Sequence, residues 1–423
     1  MNPRTTQTME PKSCSRLLLS LASLMFGSFP CGKVLQAQTS TGVKVMEMWR
    51  VPFPDSRKRN LGYEELREAT HSTVFQPQRS DGGYNHHSKL VYFRGRYYSM
   101  WSNHISAEDG PGQRVLYSSS EDGTNWREPR ELAPPPMPQD SNQLPKKWLA
   151  PVAWIELDGR LWAKIGAYTS ESRSQRTYIF TEIMPSGERG PLMIASPDWI
   201  GNSDTDFVLE YFDTEERKKL IKQIREASDR PVPPQGIDST KLNEFSFYEA
   251  ADGSFVCLAR DDEFSHRMYA SISEDPTEWP AAHPTDIPDA PSMTISVALD
   301  DGSILLIGNQ TATEFDNGDK VKFYDRVPLT VSLSSDGKVF DRAFAVRADK
   351  HRLRISGVTG RGEGGGQYPA AIVRDGYLFV LYSMCKEEIH ITKIPLRAMG
   401  LNENLKEVPP VLRWPHERAK QQR

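Results

Sequence analysis

The residues of this 423-residue chain that could do chemistry stand at the ends of strand-like runs. Glu244 opens one such run and Arg260 closes the next, with the turn Ala251-Asp-Gly253 between them. The start of one strand and the end of its antiparallel partner lie side by side, so the two charges should meet. A plain surface ion pair across a hairpin is the alternative. Tyr368 opens a further run, Gln367-Tyr-Pro-Ala-Ala-Ile-Val373, directly after the glycine-rich stretch Gly360 to Gly366, which reads as a loop free to move beside it. Packing of a strand-end aromatic on the ring is its alternative reading. Arg326 precedes the run Leu329-Thr-Val-Ser-Leu333; its planar fork can hold a carboxylate in two hydrogen bonds, as a lysine cannot.

Asn85-His86-His87 begins a run ending near Tyr92, Trp101-Ser-Asn-His104 ends the next, and Glu108-Asp109 follows. Imidazole titrates near neutral pH, which suits proton transfer. Metal binding by His86, His87 and His104 is disfavoured, because neighbours on a strand point to opposite faces and no carboxylate or cysteine stands at ligand spacing. No metal and no other cofactor is expected.

The elements that must position these residues repeat along the chain. Ser120-Glu-Asp-Gly-Thr-Asn-Trp126, Ser273-Glu-Asp-Pro-Thr-Glu-Trp279 and Ser334-Ser-Asp-Gly-Lys-Val-Phe340 share one spacing, each after a strand-like run. The Asp can accept backbone N–H bonds across a tight turn while the aromatic tucks beneath it, so the unit is structural. A second unit places a tight turn between two strand-like runs, at Gly95, Gly159, Gly253, Gly302 and Gly376. Four of these turns read Asp-Gly, the strongest short hairpin signal. The long gap from Gly159 to Gly253 suggests one more hairpin near Asp206 to Tyr211. The expected fold is all-β: a β-propeller of six blades, with seven as the alternative, built from four-stranded antiparallel blades. One helical insertion is expected at about 213–230, with Thr214 as N-cap and Leu220, Ile221 and Ile224 on one side. Ile389 to Pro395 should close the ring against Val43 to Val51.

The three Ser-Asp-aromatic units resemble a shortened Asp box of sialidases, and three further segments sharpen the resemblance to the sialidase-like superfamily of BNR-repeat propellers, while a fourth departs from it. Asn243 to Arg260 is similar to the segment carrying the sialidase base and a carboxylate-binding arginine, which would be Glu244 and Arg260. Gln367 to Tyr382 is similar to the segment of the tyrosine nucleophile, which would be Tyr368. A phenol whose proton is taken by a neighbouring Glu suits attack on an anomeric carbon that bears a carboxylate, since a carboxylate nucleophile would be repelled there. Arg326 to Asp336 resembles the segment of another carboxylate-binding arginine, and Asp109 lies near the place of the sialidase acid/base loop. The sialidase pattern breaks at Asn85-His86-His87, where its first arginine would stand. There the chain resembles propeller lyases of ulvan and rhamnose–glucuronate polysaccharides, in which a histidine removes a proton beside the uronate carboxylate; His86, His87 and His104 would fill that role, with Asn85 beside them on the substrate. The lyase resemblance fails in turn at Glu244, where those enzymes carry a tyrosine.

Charge and composition narrow the partners. The 52 basic and 56 acidic residues are interspersed, giving a net charge of −4 and no basic tract to neutralise a phosphate backbone. Nucleic acid is excluded as an expected partner, and a glycan or polysaccharide is expected instead. Lys12 and Arg16 precede the apolar run Leu17 to Phe26, which is too short to span a bilayer and is followed by small and polar residues around Ala37-Gln38. Residues 1–37 therefore read as a signal peptide, 41–400 as one propeller domain and 401–423 as a polar tail, in a secreted or periplasmic protein. Cleavage would leave only Cys257 and Cys385, too few for a disulfide framework. The function expected is hydrolysis of an acidic glycan by Tyr368 and Glu244. The alternatives are a polysaccharide lyase using histidine and a non-catalytic propeller that binds glycan or protein.

Overall fold

A computed structural model describes residues 43–136, 147–169, 172–194, 209–211, 214–228, 231–315, 325–359 and 364–408. The signal-peptide reading of residues 1–37 lies outside these, as do residues 360–363 of the glycine-rich stretch and the tail beyond 408.

The strands gather into five sheets, each a blade. Blade one runs Tyr84–Phe93, Arg96–His104, Arg114–Ser120 and Arg130–Ala133. Blade two runs Lys147–Leu157, Arg160–Thr169, Ser172–Ile183 and Leu192–Ile194, with Leu209–Tyr211 added in parallel to its last strand. Blade three runs Leu242–Glu249, Phe255–Asp261, Arg267–Ser273 and His283–Pro288. Blade four runs Ile295–Leu299, Ile304–Gly308, Leu329–Ser334 and Arg342–Arg347, with Glu407–Val408 added beside its first strand and Glu64–Glu65 beside its last. Blade five runs Gly366–Arg374, Tyr377–Met384 and Glu388–Pro395 and takes its outer strand, Thr70–Phe75, from the start of the domain.

The ring thus has five blades rather than six or seven. Each of the five turn glycines joins the first two strands of one blade, and each has a positive φ, between 67° and 87°, that a side chain would strain. No sixth hairpin appears among the described residues: of the segment expected to form it, Asp206 to Val208 lie outside them, and Leu209–Tyr211 extends blade two in parallel. Ring closure between the chain ends is as expected in kind, but its partner is Thr70–Phe75, not Val43 to Val51. The earlier segment makes single bridges instead, Met46 to Thr285 and Trp49 to Phe340.

Second strands such as Tyr377–Met384 are buried along nearly their whole length. They read as apolar runs without alternation because neighbouring blades cover both faces, and separate cores form at the seams between successive blades. The insertion is the helix Glu215–Glu226, whose N-cap Thr214 side chain accepts from the Arg217 N–H. Its Ile221 and Ile224 pack on Ile155, Trp162 and Phe180 of blade two.

The three Ser-Asp-aromatic units join third to fourth strands in blades one, three and four. Asp122 Oδ1 accepts the N–H groups of Thr124 and Asn125, at 2.8 and 2.7 Å. Asp336 Oδ1 accepts those of Lys338 and Val339 at 2.7 and 2.9 Å, and Phe340 beneath it is fully buried. Burial works to raise the Asp122 and Asp336 carboxyls, but these bonds prevail and hold both below the usual range. Since third strands end opposite the face where first strands begin, these turns lie far from any site at the ring's mouth. Replacing Asp122 or Asp336 with alanine is expected to cost about 1–2 kcal/mol of unfolding free energy and to leave turnover unchanged. Urea unfolding and initial rates check this; lost turnover at unchanged stability would contradict it.

Candidate active site

The mouth of the ring is built from residues that open first strands and close second strands. Three of its side chains share one backbone device. At His87, Glu244 and Tyr368 the pairing of first and second strands slips by a β-bulge, and these residues take φ of 56°, 53° and 55°. A left-handed non-glycine residue costs roughly 1–2 kcal/mol, and bulges re-aim side chains. Here the same device recurs in blades one, three and five, and it is legible in the sequence only as the start of a strand.

Arg260 joins two of these residues. Its Nη1 lies 3.0 Å from Glu244 Oε2 and 3.0 Å from the Tyr368 phenol oxygen. The Glu244–Arg260 pair expected from the hairpin is therefore present, with both side chains only about 15% exposed. Arg260 Nε also faces Asp262 Oδ1 at 3.1 Å, an ion pair without hydrogen-bond alignment. Tyr368 is buried, and burial first, then the charge of Glu244 and its hydrogen bond to the phenol, push its pKa well above the ordinary phenol value. The phenol is neutral at working pH, and the base that could take its proton is in contact with it.

Arg326 closes the other side. Its Nη1 donates to Gln367 Oε1 and its Nη2 to the Pro291 carbonyl at 2.5 Å, and the guanidinium carbon stands 5.6 Å from the centre of the Tyr368 ring. The His86 ring lies 4.2 Å from that of Tyr368, and the His87 ring 5.5 Å. The mouth thus gathers Glu244, Arg260, Arg326, Tyr368, His86 and His87.

Three other candidates are held by contacts of their own. Asn85 donates through Nδ2 to the carbonyls of Gly82 and Glu387 and accepts through Oδ1 from Trp101 Nε1 and Asn103 Nδ2. Its four side-chain hydrogen-bond positions are filled within the protein, so it staples blade one to blade five instead of binding substrate. His104 Nδ1 accepts from Ser106 and Ala107 N–H, and its Nε2 donates to the Pro111 carbonyl. It organises the loop that leads on to Asp109 rather than serving as a base. Asp109 takes φ of 49° in that loop, with its N–H held by Gln113 Oε1. Its charge acts on Lys386, which pairs with Glu108 at 2.5 Å.

Burial first, then nearby cations, drive the pKa of His86 well below that of free imidazole and that of His87 down to about 3. Both imidazoles are neutral in use. The two rings also lie on one side, 4.4 Å apart. The expectation that adjacent histidines face opposite ways fails because the bulge at His87 breaks the alternation.

Asp289 was not foreseen. It follows the outer strand of blade three, is 1% exposed, and neither carboxylate oxygen has a hydrogen-bond partner among the described residues. Burial raises its pKa to about 8, against the opposing pull of Arg260 and Arg326. No motif marks it in the sequence. An acid raised in this way keeps its proton when folded and loses it when unfolded between about pH 4 and pH 8, so its contribution to stability falls as pH rises through that window. Asp289→Asn is expected to flatten the fall, giving a variant little changed at pH 4 and more stable than the parent above pH 8. Urea unfolding across pH checks this; parallel curves for the two proteins would refute it.

The comparisons with known proteins agree with this architecture. A BNR repeat-like domain model matches residues 188–380, and an N-terminal β-propeller domain model matches residues 66–174. A solved structure named as a sialidase is 19% identical with a TM-score of 0.64, over 83% of this chain and 35% of its own length. The chain therefore spans about a third of that sialidase. The Hadza microbial sialidase Hz136 is 12% identical with a TM-score of 0.51, over 78% of this chain and 69% of its own. A Dyadobacter fermentans protein of unknown function is 12% identical with a TM-score of 0.50, over 77% of this chain and 99% of its own. No curated protein sequence matches the chain. The chain folds as a β-propeller similar to that of these sialidases, and residues 188–380 match a BNR repeat-like domain. At these identities the likeness extends to the fold, and no described helix is long and apolar enough to cross a membrane.

Proposed function

We propose that the chain is an exported glycoside hydrolase that removes an acidic sugar from a glycan, with Tyr368 as nucleophile and Glu244 as its base. The observation that carries this reading is the single Arg260 nitrogen placed 3.0 Å from both Glu244 and Tyr368. In the step proposed, the Tyr368 oxygen bonds to the anomeric carbon while its proton passes to Glu244. The bond to the departing sugar breaks as Asp109 gives that oxygen a proton. Water then attacks the same carbon, Asp109 accepting its proton, and the phenol is regenerated with the proton from Glu244. Arg260 and Arg326 hold the substrate carboxylate, which neither a lysine nor a neutral side chain would grip in two bonds.

The lyase reading loses support at His87, whose pKa of about 3 leaves it a weak base at neutral pH. A panel of acidic glycans distinguishes the readings. Hydrolysis is expected to release reducing ends without unsaturated uronate. Unsaturated product would establish a lyase, and binding without turnover would establish a non-catalytic propeller.

A further inference from the structure

We infer that His86, His87 and Glu108 form a binding site for a divalent transition ion of the zinc type at the mouth of the ring. One nitrogen of each imidazole and one carboxylate oxygen of Glu108 lie within 4.8 Å of one another. A tetrahedral zinc with bonds of about 2.0–2.1 Å needs these atoms about 3.4 Å apart, which modest side-chain adjustment supplies. Two imidazoles and one carboxylate suit zinc, iron or nickel better than calcium or magnesium, which take all-oxygen sites.

The supporting shell points the same way. His86 is fully buried, and its Nδ1 shares a 2.6 Å hydrogen bond with Ser383 Oγ. That hydroxyl donates its own proton to the Gln367 carbonyl, so it accepts from His86 Nδ1–H. The tautomer leaves a bare lone pair on Nε2, which is buried and has no hydrogen-bond partner. Holding one ring nitrogen so that the other can ligate is how outer residues orient metal-binding histidines. His87 repeats the pattern more loosely, its Nδ1 standing 3.4 Å from Ser102 Oγ. A buried, unpaired nitrogen is costly, and a ligated ion satisfies it.

Lys386 completes the argument. Its ammonium lies 2.5 Å from Glu108 Oε2 and balances that carboxylate in the ion-free cluster. A divalent ion would displace it. Three protein ligands leave a fourth position, and on the hydrolase reading above an oxygen of the acidic substrate would take it, beside Tyr368. Ion binding itself is measured without substrate, so it stands or falls apart from that reading.

The test is calorimetric titration of zinc chloride into the full chain after stripping with chelator. One site per chain is expected, with a dissociation constant of about 1 μM or below, weakened at least about a hundredfold in His87→Ala and in Glu108→Gln. His351→Ala, in the separate cluster with Glu387 and Glu388, should leave it unchanged. Lys386→Met should tighten it by removing the competing cation. Absence of binding, affinity unaffected by both ligand substitutions, loss of affinity in His351→Ala, or affinity unchanged in Lys386→Met would each overturn the assignment.

Discussion

Tyr368→Phe is expected to lower kcat on the acidic glycan by at least about a thousandfold while the protein stays folded. The substitution keeps the ring that packs on His86 and removes only the oxygen. The loss follows from the role proposed: without a nucleophile the enzyme retains substrate binding and charge stabilisation, and removing a nucleophile elsewhere costs about a millionfold in kcat. Stability should fall by about 1 kcal/mol through the lost bond from Arg260. KM should change little. A Tyr368→Phe protein with near-normal kcat would exclude covalent catalysis at this residue, whatever its stability.

Arg260→Ala should have the next largest effect, in two separable parts. In catalysis, two charged hydrogen bonds to a substrate carboxylate, at about 1.5–3 kcal/mol each, correspond to a fall in kcat/KM of about a hundredfold or more. Arg260→Lys should recover little of it, because a point charge cannot reproduce the fork. In stability, the change strands Glu244, whose only slight exposure leaves it poorly solvated. Removing one partner of a fully buried pair costs about 3–5 kcal/mol, and this pair should cost less. Adding Glu244→Gln should restore part of the stability and none of the activity. Recovery of activity in the double variant, which lacks both the arginine and the proposed base, would contradict the roles proposed for Arg260 and Glu244.

Much of this was legible in the sequence where local chemistry dictates structure. The five turn glycines predicted the hairpins, and each of them begins a blade. Counting went wrong where distance replaced chemistry: among its described residues, the long interval before Gly253 holds a helix and an extra strand and no sixth hairpin. The closing strand was misplaced because Val43 to Val51 and Thr70–Phe75 both read as extended, and only tertiary pairing chooses between them. At the site, Glu244, Arg260 and Tyr368 were found because each begins or ends a strand. Asn85 and His104 look equally functional in the sequence, yet their polar atoms are consumed by backbone and side-chain partners within the protein that no pattern reveals. The convergence of His86 with His87 escaped alternation-based reasoning because a bulge is invisible in residue types. Asp289 escaped because its character comes from burial alone.

The covalent link at Tyr368 is the central claim, and rapid-quench mass spectrometry of the protein during turnover tests it most directly. The account requires a transient adduct with the mass of the released acidic sugar, mapping to the peptide that contains Tyr368 and missing from Tyr368→Phe. Turnover at full rate with no adduct at any quench time, or an adduct on a different residue, would contradict it.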